Sequence, residues 1–330
     1  MTRTPIAATG SKWKPIALVA TVGLLALFPL AGSGFYVELV AKVMILAIFA
    51  LSLDLLVGYT GLVSFGHAAY FGIGAYALGL MSPKYEAANL WLTLPAAMLA
   101  AALAALVVGV FVVRVKGVYF IMVTLAFAQM FYFVFHDTKF GRGSDGISIN
   151  FKPVAAIGGF TPFDLANASH VYYFVLVLLV AVFALLKAVL RSPFGRALQG
   201  IRSNEHRMIS LGFPVYWYKL ASFTLAGALA GLAGYLSALQ FGFINPELLS
   251  WHQSGNVLLM LILGGVGSLY GAVVGAFAFV ALEEIFQALT VHWQLLLGAA
   301  IVLLVISLPG GLASVAGRFR RTLVGEADNE

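Results

Sequence analysis

"SPFGRALQGIRSNEHRMISLGFPVYWYK", residues 192–219, is a polar island between two long apolar runs, and it holds four of the chain's 19 Lys and Arg residues. Its surroundings give it meaning. The 330 residues are 62% hydrophobic, 13% aromatic and only 10% charged, with a mean hydropathy of +0.98. Ordinary globular chains are about half apolar and about a quarter charged. Several runs reach or approach the ~20 apolar residues that cross a bilayer. The composition therefore predicts an all-α polytopic membrane helix bundle.

Working outward from the island, apolar runs fall at about 16–33, 37–57, 62–81, 90–113, 118–136, 170–190, 217–241, 256–267, 271–290 and 293–309. About ten segments, with eight as the lower bound, make one membrane domain over 16–309, between a tail at 1–15 and another at 310–330. Basic residues decide its orientation, because positive charge collects on the cytoplasmic side. Arg3, Lys12, Lys14, Arg114, Lys116, Lys187, Arg191, Arg196, Arg202, Arg207, Lys219, Arg318, Arg320 and Arg321 lie on one side of this arrangement. Lys84, Lys139, Arg142 and Lys152 lie on the other. Both termini are expected in the cytoplasm, and the net charge of +6 reads as a topology signal, not a nucleic-acid footprint. The first run, preceded by basic residues and ending "PLAGSG", has features of a signal peptide. With no soluble domain behind it, a retained helix is the expected reading.

The chain carries no obvious enzyme or energy site. It has no cysteine, which removes disulfides, thiolate chemistry and Cys-ligated metals. No lysine follows a glycine, so no Walker A loop can form, and neither H-E-x-x-H nor G-x-S-x-G occurs. The six histidines are scattered without metal-ligand spacing. Charges at membrane depth are few. Glu38 and Lys42 share one helix face at i, i+4, which suits a structural ion pair. Asp54 admits two readings: a carboxylate reaching cytoplasmic water or capping a turn, or a proton relay. Glu283 and Glu284 near the outer end of their segment read as exposed to water.

Glycine patterns supply the next signals. "GYTGLVSFGHAAYFGIGAYALG", residues 58–79, places Gly58, Gly61, Ser64, His67 and Gly72 in one short stretch. So many glycines imply either close helix packing or irregular backbone beside a polar path, and both readings stand with Asp54 included. Gly227 and Gly231 form one G-x-x-x-G, and Gly267, Gly271 and Gly275 form two more, spacing that lets helix backbones approach.

Within the island, Ser192 and Pro193 make a helix start. Phe194, Ala197, Leu198 and Ile201 then follow at i, i+3, i+4 and i+7, an apolar stripe opposite Arg196, Gln199 and Arg202. Ser203 and Asn204 offer a break, and a second short helix closes at Gly212 and Pro214. The segment at about 191–216 thus reads as a helical elbow on the cytoplasmic surface. A solvated basic loop would satisfy the charge rule alone; the stripe and caps favour a helix that fits a groove on a cytoplasmic partner.

The run "SPFGRALQGIRSNEHRMISLGFPVYWYKLASFTLAGALAGLAG", with "FGFINPELL" and "LILGGVGSLYGAVVGA" after it, resembles the LivM-type permeases of bacterial branched-chain amino acid ABC transporters. "GYTGLVSFGHAAYFGIGAY" is similar to the first-half signature of that family, and the matches span roughly 50–280. The resemblance implies a non-catalytic permease of the bacterial inner membrane that imports branched-chain or related hydrophobic amino acids by alternating access. It implies a second, LivH-like permease, two cytoplasmic ATPases that bind ATP and Mg, and a periplasmic substrate-binding protein meeting the loop at about 137–169. Arg196, Ala197 and Gly200 fall in the coupling motif that the resemblance implies, with Glu205, His206 and Arg207 toward the ATPase and Gly212 at its end. This chain reads Arg196-Ala197-Leu198 where many importers carry Glu-Ala-Ala. Urea-type permeases share similar blocks, so a urea or short-chain amide cargo is the alternative. A gradient-driven carrier is the alternative from another class, with Asp54 as its coupling group.

Overall fold

The computed structural model describes residues 21–29, 33–83, 85–139, 141–156, 164–308 and 310–313. The tail at 1–15, the opening of the first apolar run and the C-terminal residues from 314 lie outside the described residues. After a helical stretch at 21–29, the chain runs through α1 (Gly34–Asp54), α2 (His67–Met81), α3 (Leu90–Val112), α4 (Val118–Asp137) and α5 (Ala168–Arg191). The elbow follows as α6 (Pro193–Ser203) and α7 (Glu205–Ser210). The second half is α8 (Val215–Phe241), α9 (Trp251–Gly264), α10 (Leu269–Leu289) and α11 (Trp293–Ser307).

Among the described residues, six helices are long and apolar enough to cross a membrane: Gly34–Thr60, Leu90–Val112, Val118–Asp137, Ala168–Arg191, Val215–Phe241 and Leu269–Leu289. The remaining apolar helices are too short to cross by themselves: α2 and α11 also fall short of the runs that contain them, while α9 starts five residues before its run and stops three before its end. α2 and α11 have 15 residues and α9 has 14, about 22 Å at ~1.5 Å per residue against the ~30 Å hydrocarbon core. The run expected at 62–81 becomes helical only from His67, and the run at 256–267 is helical over Trp251–Gly264. Irregular backbone of this kind is tolerated at membrane depth when protein surrounds it, since lipid offers no hydrogen bonds. Leu62, Ser64 and Gly66 of the first break are buried, as is Gly265 of the second.

The core is built around α1 and α8, the two most buried of the six long helices. α8 packs on α2, α3 and α1, while α10 packs on α1 and α9. Absent side chains set the spacing. A Cβ on Gly234 would sit 1.7 Å from the Phe71 carbonyl oxygen, and one on Gly74 would sit 2.1 Å from that of Gly231. Gly227 and Gly231 face Ala105 and Ala101 of α3, and Gly275 faces the Met260 carbonyl of α9. Backbones at such range gain dispersion along their whole length.

One end of the bundle is fastened by a two-stranded antiparallel pair, Ile147–Ser148 with Phe243–Ile244, and by a parallel bridge between Asn89 and Val154. The elbow lies at the opposite end, where α5 stops and α8 begins. This sidedness follows from connectivity: α1 enters at the strand end and finishes at the elbow, and α10 returns the other way.

The packing predicts that Gly234→Ala lowers stability by ~2 kcal/mol, because no rotamer can relieve a clash with backbone. Gly298→Ala, where a Cβ meets nothing within 4 Å, leaves stability unchanged or raises it. Unfolding titrations in mixed detergent and SDS micelles measure both; equal midpoints would refute the close-contact account.

Candidate functional site at the helical elbow

The elbow folds for local reasons that its sequence contains. Ser192 is the N-cap of α6, and its Oγ accepts from the Gly195 backbone N–H at 3.4 Å, with Pro193 in the first turn. Asn204 caps α7, its Oδ1 accepting from the Arg207 N–H at 3.0 Å. Gly212 ends the unit at φ 83°, a left-handed conformation that suits glycine. The apolar stripe is buried: Leu198 is 0% exposed and Ala197 and Ile201 nearly so. Phe194 stacks on Tyr218 at 5.5 Å between ring centroids. α6 and α7 close on each other through Met208, whose Sδ would lie 2.8 Å from a Cβ on Gly200.

Polar contacts hold this elbow to the bundle at two points. At the first, α1 runs on as a π-helical turn, Leu55–Thr60, with the Thr60 hydroxyl donating to the Leu55 carbonyl at 2.9 Å. Such turns are frequent at functional sites. Just before it, the fully buried Asp54 accepts from the Gly267 backbone N–H at 2.8 Å. A Cβ on Gly58 would fall 2.7 Å from Gly267 N and Cα, so the two glycines let the turn and the α9–α10 loop meet. Arg202 of α6 reaches into this junction and donates to the Gly58 carbonyl oxygen. Gly61, at φ 80°, lies under the Arg202 side chain.

At the second point, one oxygen of Glu205 pairs with Lys219 at 2.9 Å and with Lys116 at 3.2 Å. Lys219 is 5% exposed at its side chain and Glu205 22%. Partial burial pushes the Glu205 carboxyl up, but the hydrogen bonds and charges of Lys219 and Lys116 outweigh it and hold the group below its ordinary value. α7 is thereby pinned to the foot of α8 and to the α3–α4 turn.

The expected site residues separate into three places. Arg196, His206, Arg207 and Gly212 are exposed on the elbow, whereas Ala197 is buried, Gly200 is half-buried between α6 and α7, and Glu205 turns toward the two lysines. Asp54, Gly58, Gly61 and Gly267 form the junction beneath. The other members of the glycine-rich stretch lie deeper: Ser64 accepts from the Gly66 N–H at 3.2 Å, His67 bonds Ser52 at 2.8 Å, and Gly72 faces Leu249. Gly271 and Gly275 sit against α9.

Two cavities at the strand end escaped the sequence reading. One of about 690 Å³ is lined by Gln129, Trp251, Gln253, Asn256, Glu283 and Trp293, among others. The other, about 520 Å³, includes Lys42, Ile45, Phe71, Leu248, Met260 and Glu283. Gln253, Asn256, Phe279 and Glu283 line both. Glu38 and Lys42 make no ion pair with each other: Lys42 lines the second cavity, while Glu38 is exposed on the helix surface. The signal that would have found these cavities was a pair of opposite charges near the outer ends of two helices, with amides on a third.

A family model described as "Branched-chain amino acid transport system / permease component" matches residues 35–306. The high-affinity branched-chain amino acid transport system permease protein LivM of Escherichia coli (strain K12) is 32% identical over 314 residues, 89% of this chain and 74% of that protein. Its namesake in Salmonella typhimurium is 30% identical over 332 residues, 95% of this chain and 78% of that protein. An autoinducer 2 import system permease protein, LsrC of Klebsiella pneumoniae, is 30% identical over 48% of this chain and 47% of its own length. No solved structure matches.

The Glu205 pairing has a definite pH dependence. Because the folded carboxyl is held below its ordinary value of 4.5, its stabilisation is complete above that value and is lost as pH falls through the lowered folded value. Hydrogen exchange over 205–212 is expected to quicken in that acid range. At neutral pH, Glu205→Gln raises it roughly fivefold, ~1 kcal/mol. Exchange that ignores both pH and the substitution would show α7 to be held by something else.

Proposed function

The chain belongs to the family of branched-chain amino acid transport system permease components, and we propose that it is the transmembrane permease subunit of an ATP-driven importer, carrying branched-chain or related hydrophobic amino acids into the cytoplasm by alternating access. The observation that carries this reading is the elbow. It is a capped amphipathic unit, fastened to the bundle by Arg202 and Glu205, with Arg196, His206 and Arg207 left exposed. A surface loop needs no such anchoring. A lever does, because force applied at its exposed face reaches the membrane helices only through stiff contacts.

The energetics require partners. Binding alone cannot concentrate a solute, so some other event must bias the two access states. Two cytoplasmic ATPases, holding ATP and Mg, would supply it at the elbow of this non-catalytic chain. A second, LivH-like permease would complete the path, and a periplasmic binding protein would deliver cargo at the strand end, near the loop at about 137–169. In this arrangement the six long helices, the shorter α2, α9 and α11 and the first apolar run give about ten crossings of a bacterial inner membrane. Both termini then face the cytoplasm, in line with the distribution of Lys and Arg.

Purification from the native membrane in mild detergent, with mass spectrometry of stoichiometric companions, tests the assembly. A second permease and two Walker A-bearing ATPases are expected; a chain that purifies alone and transports alone would end the importer reading. In proteoliposomes of the complex, leucine uptake is expected and urea uptake is not. Arg207→Glu, on the exposed face of the elbow, should cut uptake and stimulated ATP hydrolysis roughly tenfold, equivalent to ~1.4 kcal/mol at a partner contact, with unchanged amounts in the membrane. Full activity would remove the elbow from coupling.

A further inference from the structure

The coupling role leaves the two cavities at the strand end unexplained. Lys42 lies eight residues into α1 from Gly34, and Glu283 six residues before the end of α10 at Leu289. At ~1.5 Å per residue, both charges are held roughly 10 Å inside their helix ends. Ionised groups at such depth are expensive and normally pair or face water. Neither forms an ion pair with any described residue; Glu283 accepts only from Gln287, at 3.3 Å. Both instead line the 520 Å³ cavity, one from each of two packed helices. Glu247 and His252, which line the neighbouring cavity, are exposed and belong to its rim.

The rest of the lining completes a chemical specification. Gln253 and Asn256 of α9 and Asn245 offer neutral donors and acceptors between the charges. Ile45, Phe71, Leu248 and Met260 give the same cavity an apolar wall. A fixed cation, a fixed anion, a few amides and a greasy surface match a small zwitterion with an aliphatic side chain. They do not match urea or a simple amide, which carries no charge to neutralise either group. The volume falls within the few hundred to a thousand Å³ usual for small-ligand sites.

Resting on the importer reading above, we infer that this cavity is a cargo site for an aliphatic α-amino acid, in which Lys42 takes the carboxylate, Glu283 the ammonium group, and the Ile45–Phe71–Leu248–Met260 wall the side chain. The sides of the ligand that the charges grip are common to all amino acids, and the wall selects the aliphatic ones.

The test uses the whole complex in proteoliposomes with leucine-loaded binding protein, reading radiolabelled leucine moved per ATP hydrolysed. Lys42→Gln and Glu283→Gln should each lower that ratio roughly tenfold, while loaded binding protein still stimulates ATP hydrolysis as in the wild type. Lys42→Arg, which keeps the charge, should restore most of it. An unchanged ratio in both glutamine variants overturns the inference. So does a parallel loss of hydrolysis and uptake that Lys42→Arg does not repair, since that marks a structural role. A wild-type complex that moves no leucine sinks the importer's cargo reading itself, and this site with it.

Discussion

A carboxylate buried where α1 gives way to a π-turn accepts a hydrogen bond from a backbone amide 213 residues further along the chain. The first of the elbow's two attachments to the bundle is built on this contact between Asp54 and Gly267. Burying a charge away from water costs several kcal/mol unless it is compensated. Here the Gly267 N–H at Oδ1 and the charge of the nearby Arg202 guanidinium, itself engaged by the Gly58 carbonyl, offset part of that cost, and Oδ2 stays buried with no hydrogen-bond partner among the described residues. Each requirement constrains the others. Gly58 and Gly267 must lack side chains for the backbones to meet, and Gly267 must hold φ at 83° to aim its amide. Arg202 must project from α6, so another register of the elbow would take its charge away from Asp54 and its N–H from the Gly58 carbonyl.

This explains why much of the elbow was legible in the sequence while its attachment was not. Ser192, Pro193, Asn204 and Gly212 act within three or four residues of themselves, so helix starts and stops could be read directly. The Phe194–Ile201 stripe follows helical periodicity, with Ala197, Leu198 and Ile201 buried and Phe194 half-buried. Glu205 is different. Its i, i+3 and i+4 neighbours say nothing of Lys116 and Lys219, which reach it from the α3–α4 turn and from α8. A surface position in a basic segment suggests a residue facing outward, and only tertiary placement reveals a carboxylate turned in.

Hydropathy was similarly informative about the long helices and less so about the short ones. A window of apolar residues registers composition, and residues 61–66 and 265–268 are not polar enough to interrupt it. They are irregular because of glycine and Ser64 geometry, and surrounding helices bury Leu62, Ser64, Gly66 and Gly265 within them. The cavities were invisible for a related reason. Lys42 and Glu283 lie on helices far apart in sequence, and each alone has an ordinary explanation at the end of a membrane segment. Their meaning comes from facing one space, a property of the packing of α1 on α10.

The same packing joins the two ends of the molecule. α1 carries Lys42 at the cavity and Asp54 at the elbow junction, twelve residues or about 18 Å apart along one helix. α10 starts beside Gly267, which bonds Asp54, and carries Glu283 about 22 Å further on. The charges that flank the cavity therefore ride on the two helices whose opposite ends are clasped at the elbow. Helices are stiff over such lengths, and close-packed interiors shift between discrete arrangements more readily than they deform. In the proposed importer, a displacement of α6 would act through Arg202 on the Gly58–Gly267 contact, and a change of angle there between α1 and α10 would alter the Lys42–Glu283 separation. A wider gap would loosen both charges' hold on a zwitterion at once, so the elbow's movement would govern release of cargo without depending on the two charges.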